Sequence, residues 1–304
     1  MSNKTIRSPL FYVGDKYKIM PQLAKLFPKK IDTYIEPFAG GGSSFLNTTA
    51  KSYKINDINK HVIELHEYLS SYAYKPEKLF EELYEIIDKY QLSCSSRGLS
   101  APEELKKKYV KTYYSHYNKE AYTKLRNDYN QSHSVALLYL LLIYGFNHMI
   151  RFNASGIFNL PVGNVDFNHN VHTALETYLE FIKEHDINFF NSDYAELISS
   201  QTIGEHDFIY LDPPYLISDS EYNKLWNEDE EKRLLNFLDQ LNDSGIKFGI
   251  TNLINHKGKT NTIFLKWASN YTVYSIHSNY ISFNDNTIKE SSKEVYVTNA
   301  TREI

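Results

Sequence analysis

Short apolar runs alternate with amphipathic stretches at both ends of this chain, whereas its middle carries mostly the longer, amphipathic kind. The runs at 33–36, 53–56, 187–190, 208–211, 247–251, 272–277 and 294–298 have the length and the β-branched or aromatic content of strands. Between them, 43–49, 58–71 and 228–242 read as helices. The last has Asn227 at its N-cap, Glu230 three residues on, and Leu234, Leu235, Leu238 and Leu241 along one face. Strands alternating with helices predict an α/β fold, a doubly wound Rossmann-like sheet.

From about 73 to 185 the alternation stops. Amphipathic helices are expected around 76–90 and 102–129, and 135–144, apolar on every side, fits a buried core helix. Residues 148–170, rich in Asn, Phe and Gly, read as a hairpin or loop with polar tips and apolar anchors. The predicted organisation is a sheet domain of 1–72 and 186–304, interrupted by a mainly helical insert, 73–185, that carries the hairpin.

Composition bounds the chemistry. A chain of 304 residues, 42% hydrophobic, can bury a large core. One cysteine, Cys94, and no clustered Cys/His spacing exclude a disulfide framework and predict no metal. The longest apolar run is about half a membrane span and the N-terminus lacks an apolar targeting segment, so a cytoplasmic protein off the membrane is expected. The net charge of −4 is unevenly spread: residues 95–170 hold nine Lys/Arg against five Asp/Glu. Lys111 and Arg126 lie there among Tyr113, Tyr114, Tyr117, Tyr122 and Tyr129. That mixture fits a phosphate-contacting surface, and also a solvated helix face.

Two constellations carry chemistry. In the first, the run 208–211 ends in Asp212-Pro213-Pro214-Tyr215. The prolines stop the ladder, lack backbone donors and leave carbonyl acceptors on a stiff loop, while Tyr215 adds an aromatic face. An acid, a carbonyl and a ring suit an amino group on a flat base. An isolated tetrad of this kind also fits a capped loop beside a core tyrosine. In the second, Glu36-Pro37-Phe38-Ala39 runs into Gly40-Gly41-Gly42 ahead of a predicted helix. No Lys follows, which disfavours a P-loop, and GxGxxG is incomplete, which disfavours a pyrophosphate. The next strand ends at Asp57, close to the spacing at which an acid binds a ribose. Together these describe a cofactor containing adenosine.

With both constellations placed, the chain resembles the Dam-type, N6-adenine-specific DNA methyltransferases. The resemblance rests on Pro9-Leu10-Phe11-Tyr12-Val13-Gly14-Asp15-Lys16, the Glu36 to Gly42 turn, Ile55-Asn56-Asp57-Ile58-Asn59, Arg151-Phe152-Asn153 with Gly156 to Gly163, and Tyr210 to Tyr215. Their order, glycine turn first and tetrad last, is that of the α group. The resemblance implies an S-adenosylmethionine-dependent methyltransferase sheet with a target-recognition insert. It places Tyr12, Lys16, Glu36, Pro37, Phe38, Ala39, Gly40, Gly41, Asp57, Ile58, Asp193, Tyr194 and Asp212 against S-adenosyl-L-methionine. Asp212, Pro213, Pro214 and Tyr215 are the implied catalytic residues, with Tyr215 stacking on a flipped adenine and 218–223 closing over it. Arg151, Asn153, Asn159, Lys111 and Arg126 are the implied DNA contacts. Double-stranded DNA, alone or with a cognate restriction endonuclease, is the implied partner set, in a prokaryote or phage. Two positions depart from the family pattern: Asp15 stands where many relatives have glycine, and Asn164-Val165 where GATC-reading enzymes often have Arg-Tyr, so no target sequence carries over. Rival readings are amino methylation of cytosine or RNA, since the tetrad suits any planar amino group, and a DNA-binding regulator without transferase activity.

Overall fold

The computed structural model describes residues 5–218, 226–277 and 292–300, and within them the chain forms two compact units. The sheet unit comprises Lys16–Ala39, Asn47–Ile58 and Asp186–Ile304; the helical unit comprises Met1–Asp15, Gly40–Leu46 and Asn59–His185.

In chain order the elements are α1 (Met20–Leu23), β1 (Thr33–Glu36), β2 (Ser52–Asn56), α2 (Lys60–Ser70), α3 (Pro76–Tyr90), α4 (Glu103–Tyr109), α5 (Tyr113–Ser132), α6 (Val135–Tyr144), α7 (His169–Glu184), β3 (Asp186–Phe190), α8 (Tyr194–Ser199), β4 (Phe208–Leu211), α9 (Glu228–Asp243), β5 (Lys247–His256), β6 (Lys259–Thr260), α10 (Thr262–Ala268), β7 (Thr272–Ile276) and β8 (Lys293–Thr298). The sheet runs β3-β2-β1-β4-β5-β8-β7, with β6 paired to β5. Strands β1 to β5 are parallel and β8 runs against its neighbours. This is a mixed α/β, Rossmann-like sheet whose order reverses between β1 and β4.

Alternation along β4 decides what each face buries. Ile209 and Leu211 join Phe248 and Ile250 beneath Leu234, Leu238 and Leu241 of α9 and Phe264 of α10. Phe208 and Tyr210 take the other side, where the Phe27 ring lies 5.2 and 5.1 Å from theirs. Five helices start on an Asn or Asp whose side chain accepts first-turn N–H groups: Asn59, Asn168, Asp193, Asn227 and Asn261. Each such cap contributes about 1 kcal/mol.

Several expectations change. The helix at 43–49 is only a 3₁₀ turn, Phe45–Asn47, because the glycines before it offer no side-chain cap and Gly42 has φ +80°. The helix at 102–129 breaks at Val110, with φ +33°, into α4 and α5. The break is held by Tyr109 stacked on His116 and by Asn164, whose Oδ1 accepts from Tyr114 N (3.0 Å) and whose amide donates to the Lys111 carbonyl. The departure at 164 is thus a helix cap supplied from a distant loop. Of the two forms open at 148–170, the structure has the loop, closed by single bridges, Gly145 to Val162 and Phe152 to Phe158, and Asn168 already caps α7. Strand β5 runs five residues past the expected 251, because β6 and β8 supply partners for its end. Among the described residues no helix is long and apolar enough to cross a membrane.

Candidate active site

Four parallel strands deliver their carboxyl ends to one edge of the sheet unit. Glu36 ends β1, Asp57 follows β2, Asp193 follows β3 and Asp212 follows β4. In a doubly wound sheet the crevice lies at that edge, where the strand order reverses. Here the reversal separates β1 from β4, placing the Glu36 and Asp212 loops side by side.

Asp212 is gripped on both oxygens. Lys16 Nζ lies 2.8 Å from Oδ2, with side-chain exposures of 11% for Lys16 and 18% for Asp212. Oδ1 accepts from Thr251 Oγ1 (2.9 Å) and from the Tyr215 hydroxyl (2.9 Å). Behind Thr251 stands the Tyr210 hydroxyl at 3.0 Å, and burial pushes that phenol's pKa well above its ordinary value. It therefore stays protonated and donates to Thr251, which frees the Thr251 hydrogen for Asp212. The Tyr215 hydroxyl is also within hydrogen-bond distance of Glu294 Oε1, at 2.7 Å, so its one proton is shared between the two carboxylates; its ring packs with Ile217 and Leu253 while Lys16 sits 4.9 Å from its centroid. The Tyr215 hydroxyl thus faces two carboxylates, the acid three residues earlier and Glu294. The segment 219–223, expected to close over the site, lies outside the described residues; Ser218 N bonds the Tyr215 carbonyl at 3.0 Å.

On the other side of the reversal, Asn56, fully buried, ties three loops together. Its amide donates to the Pro37 carbonyl (2.9 Å) and the Ser192 carbonyl (3.0 Å), and its oxygen accepts from Ser192 N (3.0 Å). Ala39 N bonds the Asn56 carbonyl at 2.9 Å. Asp57 is half-buried, and its carbonyl accepts from Asn191 at 2.7 Å. Ile58 next to it is 68% exposed, an apolar face beside a carboxylate. Phe38 is half-buried, its ring 5.3 Å from Tyr194 and 5.9 Å edge-on from Trp226. Trp226 is fixed by the buried Glu231, which also accepts from Asn252 and Asn261. Burial pushes the Glu231 pKa up. Asp193 caps α8 and pairs with Arg233 at 2.6 Å. Its burial favours the neutral acid, but Arg233 and the Ala195 N–H outweigh that and hold its pKa below the usual carboxylate value.

These residues fit S-adenosylmethionine. Glu36, Asp57, Asp193, Asp212 and Glu294 outnumber Lys16 and Arg233 at this edge, which suits a cationic ligand and not a pyrophosphate.

In the helical unit, Tyr12 lies against the glycine turn: a Cβ on Gly41 would come within 3.1 Å of it. The Ser8 hydroxyl donates to the Gly41 carbonyl. Beneath, His66 Nε2 donates to the Gly40 carbonyl (3.0 Å) and Nδ1 accepts from Tyr178 (3.0 Å). Full burial pushes the His66 pKa down to about 4, so the ring is neutral and this tautomer is fixed.

In the same unit the bridged loop is strapped to α5. Arg151 Nε and Nη2 donate to Asn159 Oδ1 and carbonyl, both at 2.9 Å. Arg126 donates to the Leu160 carbonyl (3.2 Å), and Asn130 exchanges two hydrogen bonds with Phe158. Asn153 Oδ1 accepts from Ser155 N and Ile157 N within its own turn. Of the five tyrosines expected on a basic surface, Tyr122 and Tyr129 are instead core residues at 1% exposure, because α5 turns them toward the interior of the unit. Phe146, not singled out in sequence, is half-exposed beside Asn147 and His148, both with positive φ.

A family model for the D12 class N6 adenine-specific DNA methyltransferases matches residues 12–281. The chain belongs to that family. It is 35% identical to modification methylase StsI of Streptococcus sanguinis over 98% of this chain and 43% of StsI. It is 32% identical to type II methyltransferase M.FokI of Planomicrobium okeanokoites over 99% of this chain and 44% of that protein. To a DNA adenine methylase of Vibrio cholerae it is 28% identical over 70% of this chain and 66% of the relative. The chain spans less than half the length of StsI and M.FokI. Among the described residues no group of three His, Cys, Asp or Glu could hold a metal ion.

Proposed function

We propose that this D12-family chain transfers a methyl group from S-adenosyl-L-methionine to the exocyclic N6 of adenine in double-stranded DNA. The observation that carries the reading is Asp212, placed at the β1/β4 reversal and held by Lys16, Thr251 and Tyr215.

Bound there, the donor supplies a methyl group already activated on a cationic sulfur. The chain's task is the nucleophile. An adenine amino nitrogen is weak because its lone pair is delocalised into the ring. Asp212 accepts one amino hydrogen and the Pro213 carbonyl the other, which draws the nitrogen toward tetrahedral geometry and localises the pair. The Asp212 carboxylate also stabilises the positive charge that grows on that nitrogen. Positioning accounts for much of the rate. Pro214 keeps the loop stiff, and Tyr215 offers a ring to a base turned out of the duplex.

The donor is assigned to Glu36, Pro37, Phe38, Ala39, Asp57, Ile58, Asp193, Tyr194, Asp212 and Lys16, together with Tyr12, Gly40 and Gly41. DNA reading is assigned to the insert 73–185, with Arg151, Asn153 and Asn159 in its bridged loop and Lys111 and Arg126 on the basic segment. Arg151 and Arg126 act chiefly by holding the loop in shape. The modification methylases among the relatives make a cognate restriction endonuclease a fitting partner. Digesting duplex DNA methylated by the chain to nucleosides tests the assignment: label on N6-methyladenine supports it, and label only on cytosine overturns it.

A further inference from the structure

We propose that Glu294 is a positioning residue of the methyl-transfer site, which keeps the Tyr215 proton from being committed to Asp212; this rests on the transfer reading above. Because β8 runs against β5, its beginning lies at the edge where the parallel strands end, and Glu294 is its second residue. Val295 and Val297 enter the core under α9. Glu294 points the other way and is 1% exposed.

A carboxylate buried that deeply is strongly unfavourable without partners, so packing alone gives no reason for a glutamate. Two of its partners are also partners of Asp212. The Tyr215 hydroxyl is 2.7 Å from Glu294 Oε1 and 2.9 Å from Asp212 Oδ1, and Lys16 Nζ is 3.9 Å from the first carboxylate and 2.8 Å from the second. A phenol carries one proton, so these two bonds compete. Thr251 already donates to Asp212 Oδ1 and Lys16 occupies Oδ2. With Tyr215 turned to Glu294, Asp212 keeps acceptor capacity on Oδ1 for an amino hydrogen. With Glu294 gone, the phenol proton commits to Asp212 and takes that capacity away.

The test is a double-mutant cycle in single-turnover methyl transfer, with dissociation constants for S-adenosylmethionine and duplex DNA measured alongside. Glu294→Leu is expected to slow the transfer step on the order of tenfold to a hundredfold with both dissociation constants unchanged. Glu294→Gln, which retains an oxygen acceptor, recovers most of the rate. Tyr215→Phe with Glu294→Leu is no slower than Tyr215→Phe alone, because Glu294 acts through that hydroxyl. If Glu294→Leu does not fold, Glu294→Met takes its place in the cycle. A full rate in Glu294→Leu, or losses that multiply in the double variant, overturns the role of Glu294 while an inactive Asp212→Ala leaves the transfer reading standing. An Asp212→Ala variant as active as the parent, or a parent that transfers nothing, overturns the transfer reading and this inference with it.

Discussion

Lys16 Nζ lies 2.8 Å from Asp212 Oδ2, joining the start of the chain to the loop after β4 in a pair largely shielded from water. Removing one member of such a pair leaves the other buried and uncompensated, which costs about 3–5 kcal/mol. Lys16→Met is therefore expected to lower unfolding free energy by about 3 kcal/mol in denaturant titration. Adding Glu294→Gln to Lys16→Met should return part of that loss, because one of the two uncompensated carboxylates is then gone. Unchanged stability in Lys16→Met would show the pair to be solvated.

His66 predicts a pH dependence of stability. Burial holds its folded pKa at about 4, below the ordinary 6.5, so between those values the unfolded chain binds a proton that the folded chain does not. Its contribution is complete above pH 6.5 and is lost as pH falls through 4. The full effect is about 3 kcal/mol. The difference in unfolding free energy between the parent and His66→Gln, followed from pH 7.5 to 4, should shrink by roughly that amount. A difference constant over the window contradicts a buried neutral His66.

Gly42 has φ +80°, and a Cβ there would overlap the Phe45 ring and press on His66. Gly42→Ala is expected to destabilise by about 1–3 kcal/mol. It should also weaken S-adenosylmethionine binding measured by calorimetry, because the same turn carries Gly40 and Gly41. Full donor affinity in a folded Gly42→Ala protein would separate the turn from the cofactor.

The bridged loop and the basic segment predict different signatures on DNA. Arg151→Ala removes both bonds to Asn159 and should lower affinity for the methylated site more than for other sequences. Lys111→Ala should weaken binding to all sequences alike and reduce the slope of log affinity against log salt by about 1. Identical salt slopes and specificity ratios in the two variants would refute this division.

The parts of this molecule legible in sequence are those that depend on neighbours in the chain. Asp212 and its prolines, the Gly40 to Gly42 turn and the Asn227 cap are all local patterns, and α9 buries the four leucines its spacing indicated. What was not legible comes from pairing across the sheet. Glu294 reaches the Tyr215 hydroxyl beside Asp212 only because β8 enters beside β5 in the opposite sense, and nothing near residue 294 announces that. Asn56 sat inside a quoted motif, yet its bonds to Pro37 and Ser192 exist only once β1, β2 and β3 are side by side. Tyr122 and Tyr129 stand among basic residues along the chain, and only the winding of α5 turns them inward. Helix α7 went unread because the Asn-rich stretch before it resembled more loop, although Asn168 in that stretch is its cap.

In the proposed reaction Asp212 is the acceptor for the amino hydrogen of a target adenine. The most direct test is transfer of tritiated methyl from labelled S-adenosylmethionine to mixed-sequence duplex DNA by the parent chain and by Asp212→Ala. Label is expected as N6-methyladenine with the parent and only at background with Asp212→Ala, while both proteins bind the donor. Equal counts from the two proteins would contradict it.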